Sequence, residues 1–487
     1  MLRSSLLLLT ATILSSLVHG QECNCKTNLE WVKQTFEQND AGFQYILEKK
    51  GKEAYEDHNK AFMARATAEK DPAKCRDILY EWMTFFRPGH IAIRNIGNQP
   101  TPSAPAAAQT TAPNQFTAWE TLNEDLPKFE KYLQAKKAPD YEGIWQTSSY
   151  KIGIKKYGKE YKGFIIESGA DTWTKGQVKL RITIDSGIEH SVFYMRDHSP
   201  QESAAAALVG KNHLQLGNFW LARLNSKWED EQDIVEFFKA ADAQKPFLDQ
   251  LDKHTLFMRI PSFQAYAKKD IDSVLDANMS KILSTENLII DMTSGTGGSD
   301  ESFAKLLPIL YTNPIRTVGV EYYSTTLNNQ RMLDFINKPE YGFDEEDKKW
   351  AKKAYDTLSH HLGQWVNLSS TVVSIDKFDT VNTYPKNIGI IINEGNGSTD
   401  EQFLLAAKQS RKVKLFGATT FGELDFSNMY YIPSPCHQFE LGYCLTRSMR
   451  IPGMAIDGKG IQPDYYLDRA IPRYKWIGFV SDVLNGK

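Results

Sequence analysis

The stretch NEGNGSTDEQFLLAA, residues 393–407, places Ser398 behind a glycine-containing turn and ahead of an apolar run. Glu401 follows Ser398 at the spacing of a capping box, in which the serine hydroxyl accepts a backbone N–H and the glutamate reaches back. A serine at a sharp turn from strand to helix is also where hydrolases hold a nucleophile. The sequence therefore predicts a helix start at Ser398 and leaves two roles open, a cap and a nucleophile.

A serine hydroxyl is a poor nucleophile unless a base takes its proton. Among the ten histidines of the chain, His90 is the candidate base because it follows the helix-breaking pair Pro88-Gly89 and precedes a short apolar strand, residues 91–93. His360 and His361 lie instead in a polar helical stretch. On these residues alone, an ordinary loop histidine is the alternative interpretation of His90.

A second glycine-rich turn, GTGGSDE at residues 295–301, follows the apolar segment NLIID that ends at Asp291. Backbone N–H groups in such a loop can hold an anion or an oxyanion. The loop lacks the lysine of a P-loop and the spacing of a dinucleotide site, which argues against nucleotide binding. A strand-to-helix turn capped by Ser299 or Asp300 explains the loop equally well in isolation. Two such turns after neighbouring strands favour a single shared site.

Strand, glycine-rich turn and helix recur between residues 250 and 470. Apolar segments at 256–260, 281–291, 388–392 and 413–416 predict the strands. This alternation indicates an α/β core built on a mixed, largely parallel sheet with helices. Catalytic groups in such sheets lie at the carboxyl ends of the strands, which is where both glycine-rich turns fall.

The rest of the chain is predicted to form an N-terminal helical region, a small antiparallel β-domain and connecting segments. The predicted divisions are a signal peptide (1–20), the helical region ending in the His90 element (21–97), a Pro/Ala/Thr-rich linker (98–116), a helical connection (117–142), the β-domain (143–225), a second helical connection (226–249), the catalytic core (250–470) and a C-terminal tail (471–487).

The first residues predict export. Arg3 precedes an apolar run from Leu6 to Leu17, which is typical of a secretory signal peptide, here cleaved before Gln21. The run is shorter than the ~20 residues that a membrane span needs, and no other stretch is apolar enough. We therefore expect a periplasmic or extracellular protein with no stable membrane span after cleavage.

Composition limits the partners. The 487 residues are 41% hydrophobic and 24% charged, with a net charge of -3, which indicates a globular chain of roughly two to four domains. No clustered basic face suggests a nucleic-acid partner. Five cysteines permit disulfides in an exported chain, and a bridge between Cys436 and Cys444 would close a short hairpin. No C-x-x-C pair is present, so we predict neither a metal nor a cofactor.

Four segments resemble, in the family's order, the core motifs of the tail-specific (C-terminal processing) serine peptidases. They are LIIDMTSGTGGSDE, NEGNGSTDEQFLLAA, LFGATTFGELDFSN and GKGIQPD, and FFRPGHIAI resembles the short element before that core. The resemblance implies that Ser398 is the nucleophile, that Glu401 is the acid three residues on, and that Thr420 and Asp291 occupy the family's threonine and strand-end aspartate positions. Peptides or proteins are the implied substrates.

One branch of that family uses a lysine as base at the position of Glu423, so this chain cannot form that Ser–Lys pair. The sequence instead resembles the branch that includes tricorn-type peptidases. That likeness implies His90 as the base and a carboxylate, Glu423 or Asp425, as the group that orients it. The oxyanion hole is expected from the backbone N–H groups of Gly297 and Thr399.

Four positions in two segments depart from the family pattern. Thr293 and Gly295 replace the family's arginine and asparagine in the glycine-rich loop, and Asn396-Gly397 replaces its usual Thr-Ala. The expected function is an exported serine peptidase that hydrolyses peptide bonds in peptides or unstructured protein ends. The alternative is a catalytically weakened or inactive homologue that binds peptides or glycans.

Overall fold

The computed structural model describes residues 23–96, 116 and 118–487. The predicted signal peptide and nearly all of the predicted 98–116 linker lie outside these residues. The chain divides into two compact units, one made of residues 1–100 and 245–466 and the other of residues 101–244 and 467–487.

The first unit begins with helices, which confirms the predicted N-terminal helical region. Phe36, Trp82 and Phe86 are buried at the centre of the helices and pack against Tyr443 of a later strand in the same core. The elements are α1 (Cys25–Asn39), α2 (Phe43–Lys50), α3 (Lys52–Ala68), α4 (Pro72–Met83) and the short strand β1 (Ala92–Asn95).

The second unit contains a nine-stranded antiparallel sheet that curls into a near-barrel, which confirms the predicted antiparallel β-domain. Trp145, Leu180 and Leu221 are among the fully buried residues of its core. Its elements are α5 (Leu126–Ala135), β2 (Gly143–Thr147), β3 (Tyr150–Tyr157), β4 (Glu160–Ser168), β5 (Val178–Asp185), β6 (Ile188–Tyr194), β7 (Pro200–Ser203), β8 (Ala206–Val209), β9 (His213–Leu216), β10 (Phe219–Arg223) and α6 (Gln232–Asp242).

The chain then completes the first unit with alternating strands and helices. In order they are β11 (Phe247–Gln250), β12 (Thr255–Arg259), α7 (Lys268–Ile282), β13 (Asn287–Asp291), α8 (Leu307–Leu310), β14 (Ile315–Val318), β15 (Val320–Tyr323), α9 (Thr326–Asn337), α10 (Glu345–Ser359), β16 (Trp365–Val366), β17 (Val373–Asp376), β18 (Asn387–Ile392), α11 (Thr399–Ala407), β19 (Val413–Gly417), β20 (Phe426–Pro433), β21 (Phe439–Ser448) and β22 (Tyr465–Tyr466). Helix α12 (Trp476–Leu484) belongs to the second unit. Short 3-10 turns cover Ala265–Ala267, Asp300–Leu306, Pro339–Tyr341 and Arg473–Lys475.

The predicted α/β core with a mixed, largely parallel sheet is confirmed. Six strands run in the order β11-β12-β13-β18-β19-β22; β11 is antiparallel to β12 and the other neighbours are parallel. Residues 288–290 of β13 and 388–392 of β18 are buried, as expected for central strands that are covered on both faces. Asp291 lies opposite Ile391 in the register of β13 and β18. The two glycine-rich turns that follow these strands therefore emerge at the same edge of the sheet.

A second sheet in the same unit carries the His90 element. Strand β21 pairs antiparallel with β1, β15 and β20. His90 immediately precedes the β1 segment, and Phe426 begins β20. Both residues are thus fixed to one antiparallel framework although 336 positions separate them in sequence.

The disulfide prediction was wrong. Cys436 is bonded to Cys23, and Cys25 is bonded to Cys75, while Cys444 is free and buried. Cys436 lies in the turn between β20 and β21, whereas Cys444 lies within β21 with its sulfur 3.4 Å from the carbonyl oxygen of His90. The Cys444 side chain therefore points into the protein, where it cannot meet Cys436.

This pairing predicts that one cysteine of the five is available for alkylation after unfolding without reductant. The native protein should resist iodoacetamide, because Cys444 is fully buried. The unfolded, unreduced protein should gain a single adduct, located at Cys444 by peptide mass mapping, and the Cys444→Ala variant should gain none. An adduct on Cys436, or a peptide linking Cys436 to Cys444, contradicts the pairing.

Candidate active site

Ser398 lies at the sharp turn between β18 and α11. Its backbone angles are φ 57° and ψ -122°, a conformation that residues with a side chain rarely adopt. Such strain persists only where the surrounding structure imposes it, and it concentrates at functional sites. The turn therefore holds the Ser398 side chain in a fixed and unusual direction at the start of a helix.

The predicted capping box does not form. In the described part of the chain the Ser398 hydroxyl makes no capping hydrogen bond to the first turn of α11. A capping residue has extended backbone angles, and the positive φ of Ser398 turns its side chain away from that geometry. Its carbonyl still accepts the N–H of Gln402 at 3.0 Å, which is the first bond of the helix.

Glu401 turns to a different loop instead. Its buried carboxylate accepts hydrogen bonds from Thr420 Oγ1 (2.5 Å) and from the backbone N–H groups of Gly422 (2.8 Å) and Glu423 (2.9 Å). Burial raises the pKa of Glu401, and these three donors oppose that rise. Glu401 therefore ties helix α11 to the 420–423 loop.

The two glycine-rich turns lie against each other. The N–H of Ser294 donates to Asn393 Oδ1 (2.7 Å), and Asn396 Nδ2 donates to the carbonyl oxygen of Met292 (2.6 Å). A Cβ built on Gly297 would lie 2.7 Å from Ser398 Cβ and 3.2 Å from Ser398 Oγ. Gly297 has φ 67°, so both its conformation and its closeness to Ser398 require glycine.

The two predicted oxyanion donors, the backbone N–H groups of Thr399 and Gly297, have different surroundings. Thr399 begins α11, and its backbone N–H has no hydrogen-bond partner among the described residues, as expected for a first helical position. The Gly297 N–H lies near the carboxyl group of Asp400, which accepts a hydrogen bond from Asn396 Nδ2 (2.9 Å). Burial raises the pKa of Asp400 to about 7, and the Gly297 N–H opposes that rise. One donor therefore has no partner, and the other faces a buried carboxyl group.

The His90 ring is held by a backbone carbonyl. Its Nδ1 lies 2.5 Å from the carbonyl oxygen of Phe426. Because a carbonyl can only accept, Nδ1 carries the proton and Nε2 presents a lone pair. Burial lowers the pKa of His90 to about 4. The bond to Phe426 acts to raise this pKa, and the positive charge of Arg87 acts to lower it further. The imidazole is thus neutral near pH 7, in the tautomer that a general base needs.

Glu423 lies between the two catalytic candidates. Its Oε2 accepts the backbone N–H of His90 at 3.2 Å, and its Oε1 would lie 2.6 Å from a Cβ on Gly397, the neighbour of Ser398. A Cβ on Gly89 would overlap the same carboxyl group. Burial raises the pKa of Glu423 to about 7, and the nearby carboxylate of Glu401 adds to the rise.

These contacts correct the predicted role of the acid. Glu423 contacts the backbone of His90, whereas the Phe426 carbonyl, not a carboxylate, orients the ring. Asp425 is committed elsewhere: it accepts from Arg450 and from the backbone N–H groups of Ile456 and Asp457. No hydrogen bond within the described residues joins the His90 ring to Ser398 Oγ.

Two other predicted residues shape the loops. Thr420 Oγ1 accepts the N–H of Ile461 at 2.6 Å, and Asp291 accepts the N–H of Thr293 at 2.9 Å. Neither bond involves Ser398 or His90. Asp291 therefore fixes the first glycine-rich turn. Thr420 bonds both Glu401 and Ile461, so it links helix α11 to the segment that contains Ile461.

Sequence reasoning missed Arg87, Asp400 and the Phe426 carbonyl. Arg87 is buried in an ion pair with Asp40 and donates to the carbonyl oxygen of His90 at 3.1 Å. An acidic residue two positions after a candidate nucleophile was a visible signal for Asp400. A backbone carbonyl leaves no signal in sequence.

The described residues contain no group of three or more histidine, cysteine, aspartate or glutamate side chains arranged to hold a metal ion.

Comparison with known sequences identifies the core. Residues 254–467 match the family model described as Peptidase family S41. A probable CtpA-like serine protease of Staphylococcus haemolyticus (strain JCSC1435) is 28% identical over 131 residues, 24% of this chain and 25% of the relative. A probable CtpA-like serine protease of Staphylococcus aureus (strain COL) is 30% identical over 104 residues, 20% of this chain and 19% of the relative. The alignments thus span a quarter or less of these curated relatives.

Comparison with solved structures extends further along the chain but concerns the fold alone. The crystal structure of mature CPAF superimposes with a TM-score of 0.51 and 12% identity, over 95% of this chain and 98% of that chain. Mature CPAF complexed with lactacystin gives a TM-score of 0.52, also at 12% identity, over 95% and 99%. Over residues 254–467, less than half of its length, this chain is therefore similar to peptidase family S41.

Proposed function

We propose that this protein is a serine peptidase that hydrolyses peptide bonds in peptides or unstructured protein ends. The observation that carries the proposal is the Glu423 carboxyl group, which contacts both the turn of Ser398 and the backbone of His90. This carboxyl group connects the segments of Ser398, which has a strained backbone, and His90, which has a neutral imidazole, although the two residues are distant in the sequence. The similarity of residues 254–467 to peptidase family S41 supports peptide substrates.

In the proposed reaction, Ser398 Oγ attacks the scissile carbonyl carbon while its proton passes to His90 Nε2. The protonated imidazole then gives this proton to the departing amine as the C–N bond breaks, leaving an acyl group on Ser398. Water attacks the ester with His90 again as base and regenerates the serine. The Thr399 N–H is the first oxyanion donor, and Gly297 supplies a second once its peptide turns away from Asp400.

Glu423 acts in this scheme through its charge. His90 gains a positive charge as it takes the serine proton, and an ionised carboxylate nearby stabilises that charge. The same carboxylate holds the His90 backbone, so Glu423 is a positioning residue in addition. A Glu with a pKa of about 7 changes its charge near neutral pH.

We also propose that the protein is exported, to the periplasm or the medium. Two disulfides among the described residues, Cys23–Cys436 and Cys25–Cys75, favour an oxidising compartment. This agrees with the signal peptide predicted for residues 1–20. Separately, none of the helices among the described residues has the length and apolarity to cross a membrane.

One observation favours the second candidate, a weakened homologue that binds peptides. The Gly297 N–H lies near the buried carboxyl group of Asp400, which can compete with an oxyanion for this donor. Losing one donor typically costs on the order of 100-fold or more in rate. The labelling experiment below separates the two candidates.

An activated serine is expected to react with a fluorophosphonate probe at Ser398 alone. Ser398→Ala should abolish the adduct, and His90→Gln should slow labelling by about 100-fold or more because the base is lost. Ser374→Ala and His254→Gln, which change exposed residues of the same types, serve as controls and should label like the wild type. Intact-mass and peptide mapping measure both outcomes.

Undiminished labelling of His90→Gln places the base elsewhere. A folded wild type that takes no probe contradicts the peptidase and supports the binding protein.

The labelling rate should rise between about pH 6 and about pH 8. His90, with a pKa of about 4, is neutral over this whole range, so it contributes no change. Glu423 is largely protonated below its pKa of about 7 and ionised above it, and only the ionised form stabilises the imidazolium. Glu423→Gln should therefore label slowly and show a smaller rise across this range, in which Asp400 still changes its charge, whereas Glu340→Gln, at an exposed position, should keep the wild-type profile. A wild-type profile in Glu423→Gln contradicts this role.

Glu401→Gln should weaken both the fold and the site. The amide presents one acceptor oxygen and one NH2 group to three donors, so at least one buried N–H loses its partner, at a cost of about 1–3 kcal/mol in the free energy of unfolding. The free energy of unfolding, measured by denaturant titration, and the probe-labelling rate should both fall. Glu340→Gln serves as the control. A stable Glu401→Gln protein with full labelling would show that the clamp does not position Glu423.

A further inference from the structure

A cavity of about 630 Å³ lies within the first unit, against the side of helix α11. Its walls include Leu405 and Ala406 of α11, Val318 of β14, and Ile456 and Ile461 of the segment before β22. The volume falls in the range of about 300–1,000 Å³ that is typical of small-molecule sites. Ser398, His90 and Glu423 are not among its lining residues, so it is separate from the candidate active site.

The charges around this cavity have one sign. Arg316, Lys408, Arg450 and Lys459 line it, and no aspartate or glutamate does. An apolar interior with a cationic lining complements a ligand that has an apolar body and an anionic group.

Arg450 gives a second, independent indication. It is 8% exposed, and one of its terminal nitrogens donates to Asp425 Oδ1 at 3.2 Å. Its Nε–H is buried and has no hydrogen-bond partner among the described residues. An unpaired buried donor is costly, so this N–H is available to an acceptor that enters the cavity.

We propose that this cavity binds a small amphiphilic carboxylate. The apolar chain lies against Leu405, Ile456 and Ile461, and the carboxylate lies among the cationic side chains. Arg316, Lys408 and Lys459 are exposed and can turn toward the carboxylate from the mouth of the cavity. This site is additional to the proposed peptidase chemistry and does not depend on it.

The walls of the cavity also connect to the loop that carries Glu423. Ile461 makes two hydrogen bonds with Thr420: its N–H donates to Thr420 Oγ1 (2.6 Å), and its carbonyl oxygen accepts the Thr420 N–H (3.1 Å). The Gly458 N–H donates to the Gly422 carbonyl oxygen at 2.9 Å. A ligand that packs against this segment is therefore expected to steady the 420–423 loop.

The first test is calorimetric titration of the full-length Ser398→Ala protein with decanoate below its micelle concentration. Decanoate should bind saturably, one molecule per chain, and decyltrimethylammonium, with the same chain and the opposite charge, should not. Equal binding of the two amphiphiles, or no saturable binding of decanoate, overturns the proposal. Because the nucleophile is absent, the result is independent of whether the protein is a peptidase.

The second test reverses the charges at the mouth. Lys408→Glu/Lys459→Glu should weaken decanoate binding by about tenfold or more. Lys353→Glu/Lys414→Glu makes the same change in net charge at exposed positions outside the cavity and should bind like the parent. All four lysines are exposed, so the fold is expected to tolerate the changes. Wild-type affinity in the first double variant contradicts the assigned site.

Hydrogen exchange of the same Ser398→Ala protein tests the connection to the loop. Saturating decanoate should slow exchange in the peptide that contains the Gly422 and Glu423 amides, and the Lys408→Glu/Lys459→Glu variant should lose this protection at the same decanoate concentration. Unchanged exchange in that peptide, with binding demonstrated by calorimetry, overturns the coupling.

Discussion

The buried carboxylate of Glu401 is the interaction on which the site depends. It joins helix α11, which begins directly after Ser398, to the loop that carries Glu423, through three hydrogen bonds of 2.5–2.9 Å. Charge-assisted bonds of this kind are among the stronger ones in proteins, and they offset the cost of burying the charge. The loop in turn places the Glu423 carboxyl group against the backbone of His90 and the turn of Ser398. Ser398 and His90 lie next to strands of two separate sheets, and this clamp links the segments that carry them.

The clamp crowds acidic groups into a small, poorly solvated region. Burial raises the pKa of Asp400, Glu401, Glu423 and Asp457, and neighbouring carboxylates add to these rises. Positive charge reaches the region only at its margins. Arg450 pairs with Asp425, and Arg87 holds the His90 carbonyl. Carboxyl groups in the site, Glu423 among them, therefore change charge near neutral pH, which is typical of functional sites.

The sequence was sufficient where a residue type determines the structure. Segments such as NLIID and IGIII are apolar on both faces and are followed by glycine-rich turns, so the parallel strands and their common edge were predictable. The turn at Ser398 was also placed correctly between strand and helix. The side-chain cap predicted at Ser398 does not form, because the sequence does not reveal that φ is positive at this residue.

Contacts between distant segments were the other part that the sequence could not give. Several pairings of five cysteines are compatible with one sequence, and Cys436 proved to meet Cys23. The group that orients His90 is a backbone carbonyl, which every residue carries, so nothing in the sequence marks Phe426. The apolar cavity beside α11 likewise arises from residues scattered between positions 316 and 462.

The most direct test is a crystal structure of the protein after reaction with a fluorophosphonate. The account predicts phosphorus bonded to Ser398 Oγ, His90 Nε2 within hydrogen-bond distance of that oxygen, and the phosphonyl oxygen accepting the Thr399 N–H. The Gly297 peptide should have turned from Asp400 toward the same oxygen. A phosphonyl oxygen directed at solvent, with the Gly297 N–H still on Asp400 and the His90 ring remote from Ser398, would contradict the assignment of these residues to one catalytic site.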